Sequence, residues 1–230
     1  MVVTQLPPSL ITPNSMKYKM EKALFAQMAH RVGSEQLQKC SSGNLSLRIK
    51  EDIALISGTG SWLPTIQEEQ ITVCRISTGE VLDGPKPSME HVFHLNVLRE
   101  RKEINVVLHF QSQYATTLSC LKEQPKSLNV IAEVPCICGP HIPTIPYYRP
   151  GSKELAAAVT NALKEHDCVL MSQHGQAVCG TDFENAFQKA IFFELASKII
   201  VLAGPGNYKE FTPEEIKDMD KYILGKTENK

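Results

Sequence analysis

Glu90, His109 and His174 lie in local sequences that suit chemistry better than packing. Glu90 closes the run Pro87-Ser88-Met89-Glu90, His109 ends the apolar run Val106-Val107-Leu108, and His174 follows Val169-Leu170-Met171-Ser172-Gln173 just before Gly175. A histidine at the polar end of a buried strand stands where the core meets solvent. Two such imidazoles, with a carboxylate opening a helix, supply the nitrogen and oxygen ligands of a divalent metal site. Residues two apart on a strand share a face, so His109 and Gln111 project together while Phe110 packs behind them. The amide oxygen of Gln111 is a weaker ligand than imidazole and suits harder ions.

The elements that must position these groups follow from the patterning. Asn14 can cap a helix over residues 14–32, with Met16, Met20, Ala23, Leu24 and Met28 at helical spacing and Gly33 as its stop. Residues 42–80 switch to short alternating runs, Leu45 to Ile49 and Ile53 to Ile56, which predict antiparallel strands. The Ser88 hydroxyl can cap a helix carrying Met89, Val92, Phe93, Asn96 and Val97 as its apolar stripe. Residues 105–109 read as a buried strand and 115–121 as the start of a helix. After a proline-rich passage over 135–150, Ser152 caps a helix that leads to a strand at 168–172. Thr181-Asp182-Phe183-Glu184 has the form of a capping box, and the helix it opens runs to about residue 202, before Gly204-Pro205-Gly206. Thr212-Pro213-Glu214-Glu215 opens a last helix. Together these predict an α/β layered domain, with a central mixed or antiparallel sheet flanked by helices on both sides. The whole chain, 1–230, reads as one domain, with a core over about 14–204 and a helical tail over 205–230.

Composition narrows the function classes. The 24 basic and 25 acidic residues nearly cancel, so no global field favours nucleic acid or an anionic membrane, and a bound anion must be held locally. Seven scattered cysteines lack zinc-ribbon spacing, Cys136 and Cys138 being only one residue apart, and read as reduced thiols of a cytoplasmic protein. No apolar stretch is long enough to span a bilayer, and the start of the chain lacks the pattern of a signal peptide. Trp62, after the glycine turn, is placed in the core. His91 and His94, three apart on one helix face, are read as cap or core hydrogen-bonding groups, with metal ligation as the alternative.

In chain order, Gly43-Asn44-Leu45-Ser46-Leu47-Arg48, Ile56-Ser57-Gly58-Thr59-Gly60, Pro87-Ser88-Met89-Glu90, His109-Phe110-Gln111 and Gln173-His174-Gly175 resemble the class II aldolase/adducin family over about residues 16–204. The L-fuculose-1-phosphate aldolases are its nearest well-defined members. The resemblance implies a zinc-dependent aldolase that cleaves a ketose 1-phosphate, through a metal-stabilised enediolate, into dihydroxyacetone phosphate and an aldehyde. It implies a metal held by Glu90, His109 and His174, with Gln111 standing where the family has a second histidine. Glu90 would also be the catalytic acid/base.

The family's phosphate-binding positions fall on Gly43, Asn44, Thr59, Gly60, Ser88 and Met89, with Met89 in place of a frequent serine. Glycine turns, small polar side chains and a helix start can indeed hold an anion without lysine. A tyrosine proton donor is also implied, for which Tyr147 and Tyr148 are candidates. A homotetramer is implied as well, and the long helix over 182–202, apolar on more than one side through Phe187, Ile191, Phe192, Phe193, Leu195 and Ile199, agrees with it. Two alternatives stay open: a phosphosugar epimerase or dehydratase on the same fold, and a non-catalytic adducin-like binding module.

Overall fold

The computed structural model describes residues 17–227, so Asn14 and Met16 lie outside the described residues. Eight strands form: β1 (Gly43–Lys50), β2 (Ile53–Ser57), β3 (Ile71–Arg75), β4 (Val81–Asp83), β5 (Val106–Phe110), β6 (Thr144–Ile145), β7 (Cys168–Met171) and β8 (Gly175–Gly180). They join in one sheet in the order β4-β3-β2-β1-β5-β8-β7-β6. Neighbours run antiparallel except for the parallel pair β6 and β7, so the sheet is mixed.

Strand parity divides the core. On β5, Val106, Leu108 and Phe110 enter the cluster covered by α1 (Lys19–Ser34), α3 (Gln113–Ser119) and α5 (Phe183–Ala203). Val107 enters the opposite cluster, with Phe93, Val97 and Leu98 of α2 (His91–Glu100) and Leu155, Val159 and Leu163 of α4 (Lys153–Glu165). His109 shares the parity of Val107, so the register of one strand aims it at the α2 side. A last helix, α6 (Pro213–Thr227), opens with the expected cap: Thr212 N donates to Glu215 Oε2 (2.7 Å) and Glu215 N to Thr212 Oγ1 (3.2 Å).

Several local expectations change. Gly33 does not end α1, which runs on to Ser34, and the chain turns where Gln36 takes φ 57°. Gly33 is needed for packing, since a Cβ there would stand 2.5 Å from Pro64 Cβ. The helix near Ser88 starts only at His91, and Met89 and Val92, placed in the apolar stripe, are exposed; the sheet is met by Phe93, His94, Val97 and Leu98. The helix expected over 115–121 lies two residues earlier, over Gln113–Ser119, because Glu194 accepts from the Tyr114 and Ala115 N–H groups (both 2.9 Å) and from Ser112 Oγ (2.6 Å).

At α5 the cap is Asp182, which accepts from Asn185 N at 2.8 Å, while Glu184 pairs with Arg31 instead of closing a box. Trp62 is 51% exposed and is not part of the core. Strand β8, Gly-Gln-Ala-Val-Cys-Gly, has too little branched or aromatic content to announce itself. It forms because β5 and β7 flank it on both sides. Among the described residues, no helix is long and apolar enough to cross a membrane.

Candidate metal centre

His109 sits near the end of β5, opposite Asn44 on β1 and Ala177 on β8. His174 lies in the tight turn between β7 and β8, held by its N–H donating to Met171 O at 3.1 Å, with Gln173 at φ 55°. Glu90 is the residue before α2, and its backbone N–H donates to Ser88 Oγ at 3.3 Å. The turn of β7 and β8 thus faces the start of α2 across the end of the central strand.

The three side chains converge. His109 Nε2 and His174 Nε2 each stand 3.4 Å from a different oxygen of Glu90, and the two rings meet edge to face at 4.9 Å. One ligand atom from each residue lies within 4.8 Å of the others. Ligand atoms around a tetrahedral ion with bonds near 2.1 Å stand about 3.4 Å apart, so the spacing fits one divalent ion. Two buried atoms of the cluster, Glu90 Oε1 and His174 Nδ1, have no hydrogen-bond partner, although Glu90 is only 8% exposed. A carboxylate oxygen left so is costly in an apo protein and is satisfied by a cation.

The imidazoles are prepared for ligation. His109 Nδ1 lies 2.8 Å from Gln176 O, and a carbonyl can only accept, so Nδ1 donates there and Nε2 is the ligand atom turned toward Glu90. Burial, then the nearby His109 ring, push the His174 pKa down to about 4, against the pull of Glu90. His174 is therefore neutral at physiological pH, as a ligand must be, and its approach to Glu90 is not an ion pair.

Gly175 completes the packing: a Cβ there would stand 2.7 Å from Phe110 O, 2.8 Å from Gln111 Cγ and 3.3 Å from His109 Cε1. Only a glycine lets β8 pass so close. Gln111 lines the same cavity, two residues beyond His109. Replacing Gln111 with histidine should tighten zinc binding, measured by calorimetric titration, by on the order of 10–100-fold, the scale on which groups around a site alter metal affinity. Unchanged affinity in a folded variant would place residue 111 off the ion.

The cluster forms one side of an open cavity of about 470 Å³, whose wall holds every residue expected at the site: Gly43, Asn44, Thr59, Gly60, Ser88, Met89, Glu90, His109, Gln111 and His174. Ser41, Ser42, Ser61 and Gln173 also line it and were not anticipated as site residues. Their only signal in the sequence is adjacency to Gly43, Gly60 and His174. Among the described residues, no lysine, arginine or tyrosine is in the wall. In the turn after β2 the N–H groups of Gly58, Thr59 and Ser61 are taken by Gln70 O, Lys86 O and Gly58 O, and the Thr59 hydroxyl donates to Pro87 O at 2.7 Å. That leaves the N–H groups of Gly60 and Met89, the hydroxyl hydrogen of Ser88 and the second Nδ2 hydrogen of Asn44 as donors for an anion. Tyr147 is 57% exposed and Tyr148 packs against the α2 and α4 core, so neither stands in this wall.

His91 and His94 take the cap and core roles. His91 Nδ1 meets Ser88 O at 2.8 Å, and His94, fully buried, bonds Ser46 and Asn44. Burial, reinforced by His109 and His91, holds the His94 pKa well below its ordinary value, so this ring is neutral.

Residues 23–201 match the model of the Class II Aldolase and Adducin N-terminal domain. The chain belongs to the class II aldolase and adducin family. Among curated family members, it is 30% identical over 207 residues to a 3-oxo-tetronate 4-phosphate decarboxylase of Escherichia coli K12, covering 87% of this chain and 97% of that protein. It is 32% identical over 192 residues to an L-fuculose phosphate aldolase of Haemophilus influenzae, covering 83% and 85%. Two solved structures share the class II aldolase fold closely. Escherichia coli YgbL, a candidate aldolase, epimerase or decarboxylase, superposes with a TM-score of 0.81 at 28% identity, covering 87% of this chain and 98% of that one. An L-fuculose 1-phosphate aldolase superposes with a TM-score of 0.78 at 27% identity, covering 95% and 100%. The class II aldolase family is metal-dependent, and the Glu90, His109 and His174 cluster is able to hold the ion.

Proposed function

We propose that this protein is a metal-dependent carbon–carbon lyase acting on a phosphorylated, sugar-derived substrate, and that its leaving group is carbon dioxide. The observation that carries the reading is the convergence of Glu90, His109 and His174 on one side of a cavity otherwise walled by neutral donors. Asn44, Gly60, Ser88 and Met89 would hold the phosphate, with Gly43 and Thr59 shaping its turns. His109, His174 and Glu90, with Gln111 beside them, would hold the ion, most simply zinc. A divalent ion there supplies stabilisation for negative charge developing on the substrate's carbonyl oxygen.

Decarboxylation and aldol cleavage leave the same fragment. In a 3-oxo-tetronate 4-phosphate, the electron pair of the bond to the carboxylate carbon moves to C2, carbon dioxide departs, and the remaining enediolate takes one proton to give dihydroxyacetone phosphate. In a ketose 1-phosphate, breaking the C3–C4 bond leaves that enediolate and an aldehyde. The routes differ in what must be deprotonated: aldol cleavage has to strip a proton from the C4 hydroxyl, whereas loss of carbon dioxide needs no base. Among the described residues of the single chain, the wall of this cavity offers one carboxylate and two imidazoles and no tyrosine. Glu90 in its protonated form can deliver the single proton that decarboxylation requires, and water returns that proton after turnover. The similarity to 3-oxo-tetronate 4-phosphate decarboxylases supports the same choice. Aldol cleavage is the second reading, favoured by the identity with an L-fuculose phosphate aldolase. A non-catalytic module has no use for the unpartnered Glu90 oxygen.

The test offers the zinc-loaded enzyme a 3-oxo-tetronate 4-phosphate, a panel of ketose 1-phosphates, and their unphosphorylated counterparts, reading dihydroxyacetone phosphate, carbon dioxide and aldehyde. Carbon dioxide release is expected to dominate and to require the phosphate. Faster aldehyde formation would assign aldol cleavage, and equal kcat/KM with and without phosphate would remove the sugar-phosphate assignment.

We also read the assembly as a cytoplasmic homotetramer. Phe192, Leu195, Ile199 and Leu202 form a stripe at helical spacing on α5, and each is half-buried or exposed in the single chain, Leu202 to 67%. Sedimentation should show a tetramer at micromolar concentration, and a stable monomer would overturn this.

A further inference from the structure

Asn44 links the cavity wall to the interior of the α2 face. Its Nδ2 donates to Glu90 Oε2 at 3.0 Å, and its Oδ1 accepts from His94 Nε2. In this orientation the amide NH2 faces the Glu90 carboxylate and the amide oxygen, which can only accept, faces the ring. Oδ1 then faces His94, so Nε2 must carry the ring proton, and Nδ1 must accept; Ser46 Oγ stands 2.9 Å from it. The Ser46 hydroxyl has one hydrogen, and its alternative acceptor, Val107 O, is farther away at 3.5 Å. Ser46 and His94 are 0% exposed and Asn44 is 5% exposed, so no water competes freely along this chain of bonds. Among the described residues it is the only side-chain hydrogen bond that the Glu90 carboxylate receives.

We propose that His94 is a positioning residue: acting through the Asn44 amide, it fixes which Glu90 oxygen is hydrogen-bonded and which is left for the ion and the substrate. With Oε2 held by Asn44, Oε1 is the unpartnered atom that faces His174. Without the Nε2–H donor, the amide is free to turn its oxygen toward the carboxylate, and Glu90 loses its fixed orientation. The inference rests on Glu90 serving the proposed lyase site. It also assigns Asn44 a double role, since the second Nδ2 hydrogen remains for substrate.

The experiment is a double-mutant cycle on the full chain with His94→Leu, Asn44→Ala and the pair, read as the zinc dissociation constant by calorimetry and as kcat and KM for the phosphorylated 3-oxo acid. His94→Leu should weaken zinc binding or lower kcat by about 10–100-fold, the range found when a group supporting a ligand is removed. It should add little once Asn44 is already alanine, because both changes cut one chain. His94→Gln, whose amide NH2 can replace the Nε2–H donor, should recover most of the loss, whereas a merely structural role would not prefer glutamine to leucine. Circular dichroism confirms folding, and His94→Gln and Asn44→Ala remain informative if His94→Leu does not fold. Additive effects of His94→Leu and Asn44→Ala, or His94→Gln no better than His94→Leu in folded protein, would overturn the proposal. Zinc affinity is read without substrate, so a failed assignment of the reaction is distinguishable from a failed role for His94.

Discussion

Glu90→Gln should lower kcat by about 10²–10⁴-fold, the contribution of a positioned proton donor, with a much smaller change in KM. The substitution keeps volume and shape, so the start of α2 and its turn at Ser88 are preserved, while the charge and the transferable proton are lost. Zinc affinity should fall as well, because the two imidazoles would then share the ion with a neutral amide. Of the phosphate donors, Gly60, Met89 and Ser88 lie on neighbouring turns, and Asn44, which bonds Glu90, can still donate to the amide oxygen of the variant, which is why KM should change far less than kcat. Steady-state kinetics beside a zinc titration checks both halves. A variant that keeps kcat within about twofold of the parent would remove Glu90 from the chemistry.

Asp167→Ala should destabilise the fold by about 3 kcal/mol, the lower end of the cost of stranding a buried charge, since Asp167 itself is partly exposed. Its partner Lys189 is 3% exposed and donates three hydrogen bonds, to Asp167 Oδ2 (2.6 Å), Cys179 O (2.9 Å) and Asn185 Oδ1 (2.9 Å). Arg101 also reaches Asp167, at 2.6 Å. For a chain of this size that loss corresponds to a drop in Tm of roughly 6–12 °C.

The same cluster sets an acid limit. Burial works to raise the Asp167 pKa, but the bonds and charges of Lys189 and Arg101 outweigh it and hold the carboxyl below its ordinary value. A carboxylate with a depressed folded pKa stabilises the protein above its unfolded pKa, near about 3.9, and that contribution is lost as pH falls through the folded value. Urea unfolding at pH 7 and at pH 3 should therefore show the difference between parent and Asp167→Ala narrowing in acid. An undiminished difference at pH 3 would mean that the effect is one of packing and not of charge.

Much of the site was legible before any fold was known. Strand parity alone placed His109 and Gln111 on one face, and the run from Val169 to Met171 placed His174 at a strand end. These are local properties: alternation on a strand has period two, and a glycine or a cap marks where a strand or helix stops. Boundaries that depend on distant partners were less legible. Gly33 reads as a helix stop, yet its role is contact with Pro64, thirty-one residues on. The cap of α3 comes from Glu194 on α5, a residue no local pattern could connect to it. Trp62 reads as core by its type, but the turn that carries it ends at the surface.

By itself, then, the order of residues pointed to a mixed or antiparallel sheet covered on both faces, to the family, and to Glu90, His109, Gln111 and His174 as candidate ligands, because patterning and motif spacing are properties of short stretches of chain. Only the tertiary structure decided that β8 enters the sheet between β5 and β7 and that, among the described residues, no tyrosine stands in the cavity wall. It also decided that Asn44 is tied to Glu90 on one side and His94 on the other. Those facts depend on which strands lie side by side and on how the hydrogen-bonding capacity of buried polar groups is shared out. Both are settled when separate segments exclude water together, and neither is written in any one of them.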